Sequence, residues 1–330
     1  MQHRDAKIDN IKGGLMLLVI FCHVIEPLIK TNSSLSNVYD FIYLFHMPAF
    51  VFLSGYLVGN TTPIKWNALL KGIVIPFILF SFIYEIPALL IANSISDYLM
   101  VLAPNWILWF LVSILCWRII TPIVMQFRFS LLITIVASIL ISLTSVDGYT
   151  YGAFRTVILF PFYLTGVILN TLYDKVYNLN VKSYMVIVAL VILGIVAMMP
   201  LPFNRYFLYC VAPFSAFGYT NEMGVIQRIE YYPLAFMTTI AFCLLVANFK
   251  VFGVIGRNSL YVYLWHGLIV KFYFWPQILN IMPSTENAVG LALVVSLALG
   301  YLFSSKYTVS TTNFLIGALY RLLVKRSVSV

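Results

Sequence analysis

Apolar residues run along this chain in long blocks, and charged residues fall almost entirely between them. A helix needs about 20 residues at 1.5 Å rise to cross a hydrocarbon core about 30 Å thick, so block length is the first thing to read. Ten blocks approach it: 11–29, 36–59, 68–92, 104–122, 129–146, 154–172, 182–200, 232–249, 258–276 and 287–305. The pattern predicts an all-α, polytopic membrane protein of about ten transmembrane helices. The first block follows basic residues, but no small-residue cleavage site follows Leu28, so it is read as a retained span. The apolar run Tyr206–Phe217 is short for a crossing and is read as re-entrant or interfacial. The chain divides into a membrane domain, 1–305, and a basic tail, 306–330. Within the tail, 313–324 reads as an amphipathic helix on the inner surface, with Arg321, Lys325 and Arg326 near anionic lipid.

Composition removes the soluble alternatives. Of 330 residues, 62% are apolar and 9% charged, with mean hydropathy +0.96. A soluble domain carries roughly a quarter of its residues charged. The 20 Lys and Arg exceed the 11 Asp and Glu, yet they do not cluster in aromatic-interleaved patches, so no nucleic-acid partner is expected. They fix an orientation instead. With a cytoplasmic N-terminus, fifteen of these cations fall inside and five outside, namely Lys30, Arg155, Arg205, Arg228 and Lys271. That bias and the even span count place both termini in the cytoplasm of a multi-pass cell-membrane protein. Cys22, Cys116, Cys210 and Cys243 show no metal-ligand spacing and read as small buried hydrophobes, so no metal is expected.

Ionisable residues at membrane depth carry the functional signal, because a mid-helix charge costs roughly 2.5 to 3.5 kcal/mol on insertion scales. Counting along the helices, His23 lies about 18 Å above the inner end of the first span and His46 about 15 Å below the outer end of the second. His266 lies about 12 Å up the ninth. The three can meet in one cavity, or each can be a neutral histidine bonding a neighbouring helix. Glu26 follows His23 by three residues on the same face, where a carboxylate can fix the imidazole tautomer; alternatively it ends the helix before Pro27. Glu85 lines the cavity or reaches water at the interface. Arg155 begins the sixth span as a site residue or a snorkelling anchor. Lys65 and Lys71 flank the inner end of the third span, as a phosphate cradle or as ordinary inner cations. Gly13, Gly14 and Gly55 permit close helix approach. No GxGxxG, Walker, HExxH or GxSxG motif occurs, so nucleotide hydrolysis, zinc proteolysis and hydrolase chemistry lack support.

Several segments resemble one family. "IDNIKGGLMLLVIFCHV" from Ile8 resembles the opening signature of the membrane acyltransferase 3 superfamily, through Asp9, Lys12, Gly13 and His23. "FHMPAFVFLSGYLVG" from Phe45 is similar to the second-span motif of its fucose 4-O-acetylase-like branch, through His46, Met47, Pro48, Ser54 and Gly55. "WFL" at Trp109, "RTVILFPFYLTG" from Arg155 and "SLYVYLWH" ending at His266 resemble that branch's later motifs in order. The third span departs from the pattern: many relatives carry paired arginines there, where "KWNALLKGIVIP" offers Lys65 and Lys71. Bidentate phosphate contacts are therefore lacking at that point.

The resemblance implies an O-acyltransferase that moves an acyl group, usually acetyl from cytosolic acetyl-CoA, to a carbohydrate hydroxyl. It implies His23 as principal catalytic residue, with Asp9, Lys12, His46 and Arg155 as supporting site residues; the catalytic set is His23, His46 and, from its place on the His23 face, Glu26. Lys12, Lys65, Lys71 and Trp109 are assigned to the donor, and Asp9, Glu85, Arg155 and His266 to the acceptor. Membrane lipid surrounds the protein, and the sequence leaves the oligomeric state open, a homo-oligomer included. The rival class is a proton-coupled exporter of glycan or small acids, which commonly shows two repeated halves; no internal repeat is found here.

Overall fold

The structure, a computed structural model, describes residues 5–30, 32–59, 64–92, 96, 103–146, 151–172, 181–277 and 285–324. Helix occupies every one of the ten apolar blocks. We number them α1 (Ala6–Ile25), α2 (Ser33–Val58), α3 (Trp66–Leu69, through π-helical Leu70–Val74, to Ile75–Ala92) and α4 (Trp109–Val124, entered by the 3-10 turn Trp106–Leu108). Then come α5 (Ser130–Ser142), α6 (Ala153–Ile158 with Phe160–Leu172), α7 (Ser183–Met198) and α8 (Asn221–Val246). The last are α9 (Ser259–Ile269, running into π-helical Val270–Phe274), α10 (Thr285–Phe303) and α11 (Lys306–Leu323).

Among the described residues, six helices are by themselves long and apolar enough to cross a membrane: α1, α2, α3, α4, α6 and α8. A seventh crossing forms if α10 and α11, bent by 57° at their junction, count as one. α5 has 13 residues and α7 has 16, so ideal geometry makes them about 20 and 24 Å long. Both are shorter than the sequence blocks that predict them.

The burial pattern is that of a lipid-solvated bundle. On α5 the polar residues Ser130, Thr134, Ser138 and Ser142, spaced by four, are all buried. Leu132, Ile133, Val136 and Leu140 of the same helix are exposed. In water this arrangement would be inside out. In lipid it is the favourable one, because small polar residues pack and bond between helices while aliphatic side chains meet acyl chains. The protein is a multi-pass membrane protein.

α1 lies at the centre, with 67% of its apolar window buried, the highest share among the six crossing helices. It packs against α2, α10 and the short helix Gly253–Arg257. Glycines set these approaches: a Cβ on Gly13 would collide with the Phe252 carbonyl, and one on Gly55 with the Tyr163 carbonyl on α6. Gly166 answers Gly55 from the other side, facing the Phe52 carbonyl, so α2 and α6 touch backbone to backbone.

Two expected boundaries need correction. α8 begins at Asn221, eleven residues before the predicted 232, because the Thr220 hydroxyl caps it by accepting from the Met223 N–H at 3.2 Å. Its polar first turns read as loop in the sequence. In the fold Arg228 is fully buried, with its guanidinium 4.0 Å from the Phe207 ring centroid. The covering segment, Arg205–Phe217, forms two short helical turns, Arg205–Leu208 and Phe214–Phe217, instead of a crossing helix. The tail helix α11 starts at Lys306, seven residues before 313, with the Ser305 hydroxyl as its cap. It packs against α3, and the Lys71 ammonium sits 4.5 Å from the Tyr320 ring centroid. Lys325 and Arg326 lie outside the described residues.

Candidate functional site

One face of α1 supplies the spine of the site. Lys12, Met16, Val19, His23 and Glu26 recur at steps of four and three, which stacks them in a single stripe. The facing stripe of α2 includes Tyr43, His46, Phe50, Leu53 and Leu57. Between them lies a cavity of 430 Å³, closed by the turn before α4, by α4, α6 and α9, and by the Tyr206–Val211 stretch. From Lys12 to Glu26 the stripe climbs about 21 Å at 1.5 Å per residue, most of a hydrocarbon core. Ser259 follows the short helix whose Gly256 abuts Asp9, one turn from Lys12, and Tyr206–Val211 is held near the start of α2 through Arg205–Asp40 and Tyr209–Tyr39.

Each of the three histidines in the spans is held by its Nδ1. His23 Nδ1 is 3.3 Å from Glu26 Oε2, His46 Nδ1 is 2.8 Å from the Ile42 carbonyl, and His266 Nδ1 is 2.9 Å from the Val262 carbonyl. Carbonyls and carboxylates accept, so Nδ1 carries the proton and Nε2 keeps its lone pair in the neutral ring. That is the tautomer a general base needs. His23 and His46 line the cavity. His266 stands behind His23, stacked at a ring-centroid distance of 5.7 Å and fully buried, and its Nε2 meets no hydrogen-bond partner among the described residues.

The backbone at His23 is held from another helix. Its carbonyl would bond the N–H of residue 27, but Pro27 has none. Trp275 Nε1 donates to it instead, at 2.7 Å. The π-helical turn Val270–Phe274 immediately precedes Trp275.

The other expected site residues divide. Lys12 lines the cavity and pairs with Asp9 at 3.9 Å; Asp9 is buried beneath it, against Gly256. Arg155 lines the cavity, its guanidinium 4.7 Å from the Trp109 ring centroid and its Nε donating to the Tyr209 carbonyl at 3.3 Å. Lys65 and Lys71 are exposed and do not line it, and Lys71 is engaged by α11. Glu85 is buried away from the cavity lining, bonded to Ser96 and Asn105. Among the described residues no group of three His, Cys, Asp or Glu could hold a metal ion.

Sequence reading misses several contributors. Tyr43 stacks edge-on against His46 at 4.5 Å and tilts against Tyr209 at 4.7 Å, while the Tyr209 hydroxyl donates to Tyr39 at 2.9 Å. Trp106 lies 4.6 Å from the His23 ring. Arg205 grips Asp40 with Nε at 2.6 Å and a terminal nitrogen at 2.9 Å, tying the Tyr206–Val211 wall to α2. Pro27 was the one available sign, because it orphans the carbonyl that Trp275 meets.

The profile of the acyltransferase 3 family, described as an acyltransferase domain, matches residues 5–305. The chain belongs to this family. Among curated proteins it is similar to Nodulation protein NolL of Sinorhizobium fredii (strain NBRC 101917 / NGR234), with 40% identity over 62 residues, 18% of this chain and 17% of that protein. It is also similar to Nodulation protein NolL of Mesorhizobium japonicum (strain LMG 29417 / CECT 9101 / MAFF 303099), with 27% identity over 187 residues, 50% of this chain and 47% of that protein. The chain thus spans less than half the length of the curated relatives it matches. No solved structure matches it significantly.

Proposed function

We propose that this protein is a membrane O-acyltransferase that carries an acetyl group from cytosolic acetyl-CoA to a hydroxyl of a cell-surface glycan or its precursor. The family membership supports acyl transfer. The observation that carries the reading is the cavity running along α1 with His23, oriented by Glu26, part-way up it.

The distribution of Lys and Arg supports a cytosolic Lys12 end. The donor enters there, its phosphates near Lys12 and its pantetheine arm reaching along the α1–α2 stripe about half the core thickness. The acceptor comes from the Glu26 end, between Tyr206, Tyr209 and Arg155. His23 Nε2 removes the proton from the sugar hydroxyl as its oxygen attacks the thioester carbonyl. The carboxylate of Glu26 stabilises the imidazolium, which returns the proton to the departing CoA thiolate. A variant of this scheme has His23 take the acyl group first and pass it on.

His23→Ala tests the reading. In purified, membrane-reconstituted protein it lowers CoA release from acetyl-CoA by about 10²–10⁴-fold, the contribution of a positioned base, while insertion and folding persist. Undiminished turnover would refute the assignment. A carrier would release no CoA in either form. Mass spectrometry of surface glycans with and without the protein identifies the acyl group and acceptor through the lost ester.

A further inference from the structure

Trp106 is one of two non-glycine residues among those described with a positive φ, at 39°. A bulky residue holds that conformation only where its surroundings over-determine it, and such residues gather where a side chain has to be aimed. The surroundings here act on both flanking residues. Asn105 is buried, its amide nitrogen donating to Glu85 at 3.3 Å and its amide oxygen accepting from Lys271 Nζ at 3.5 Å. On the other flank the Ile107 carbonyl accepts from the Tyr263 hydroxyl at 2.5 Å.

The Glu85 carboxylate, 3% exposed, also accepts from the Ser96 N–H at 2.9 Å and from the Ser96 hydroxyl. Its bonds face the protein interior, not the cavity. Gly267, next to His266, lets this turn pack close: a Cβ there would collide with the Tyr84 hydroxyl, come within 2.8 Å of the Ile107 side chain and within 3.1 Å of the Trp106 ring. The indole so placed lies 4.6 Å from His23 and 5.0 Å, edge-on, from Trp275. Three spans, α3, α4 and α9, therefore meet through one polar network at the wall behind His23.

We propose that Glu85, Asn105 and Lys271 are positioning residues, which pin the turn before α4 so that the Trp106 indole fixes the rotamer of His23. This places Glu85 outside acceptor binding. The kinetic part of the proposal rests on the acyl-transfer reading; the structural part does not.

Carbethoxylation by diethyl pyrocarbonate, followed peptide by peptide in the reconstituted protein, separates the two. Glu85→Ala uncovers the imidazole and raises the modification rate of His23 several-fold, as Trp106→Ala does, while His46 and His266 keep their wild-type rates. CoA release from acetyl-CoA falls by up to about 10²-fold, the cost of a reacting group displaced by about 1 Å, with KM for the donor unchanged. Glu85→Gln, which keeps an acceptor oxygen for Asn105, restores most of both. Lys271→Met perturbs the network from its other side and serves should Glu85→Ala fail to fold. An unchanged His23 rate in these variants overturns the proposal. So does a rise shared equally by His46 and His266, which marks general loosening. If the wild type releases no CoA, the acyl-transfer reading falls, and the His23 modification rates still decide this one.

Discussion

At the scale of single residues, the site turns on what Nδ1 of each imidazole does. A carboxylate partner at His23 and carbonyl partners at His46 and His266 make the three rings alike in tautomer and unlike in what they can stabilise. A carboxylate, with its full negative charge, supports a cationic ring more strongly than a carbonyl dipole does, and this is why the proposed mechanism gives the proton to His23. Its partner Glu26 is 29% exposed, so water weakens the interaction relative to a buried triad acid, whose loss costs about 10⁴-fold. Glu26→Gln should lower kcat by about 10- to 100-fold with little change in KM, measured as CoA release. A loss as large as that of His23→Ala would mean that Glu26 itself contacts the reacting atoms. Tyr206, half-exposed at the cavity mouth, belongs to acceptor binding in this reading. Tyr206→Ala should raise KM for the glycan and leave donor-only CoA release intact, whereas Tyr206→Trp, which keeps an aromatic face, should bind the glycan normally.

Elements meet through a few close approaches, and these decide the shape of the cavity. α2 and α6 touch at Gly55 and Gly166, so the α2 stripe can turn toward α1 while its opposite side lies flat on α6. Inserting bulk into a packed interface costs about 1–3 kcal/mol when side chains can shift, and more here because the neighbour is backbone. Gly55→Leu should lower the thermal midpoint in detergent more than Gly194→Leu, since a Cβ on Gly194 meets nothing. The Asp40–Arg205 pair acts between α2 and the wall segment. Asp40→Asn should loosen that wall and raise KM for the acceptor, with the donor KM as the internal control. The sequence contains both partners but separates them by 165 positions, and no local pattern links them.

For the whole molecule, a cavity that climbs most of the membrane core predicts opposite accessibility at its ends. In a background without the four native cysteines, Lys12→Cys should react with an impermeant maleimide only from the cytosolic side, and Tyr206→Cys only from the other. Labelling of both from one side would overturn the proposed orientation. The linear order of residues determined the membrane class, the placement of nearly every helix and the singling out of three histidines at membrane depth. These follow from block length, and from the cost of putting an ionisable group in lipid, which needs no knowledge of neighbours. The early start of α8 was hidden because Arg228 looks soluble until Phe207 and Phe214, from the preceding segment, close over its guanidinium. Tertiary structure alone decided that Glu85 turns inward, that Lys71 meets Tyr320 of the tail helix, and that Trp106 packs on the His23 ring while Trp275 bonds its carbonyl. Each depends on which faces of separate helices meet, and helix–helix contact is set by packing across the bundle, which spacing along one chain does not encode.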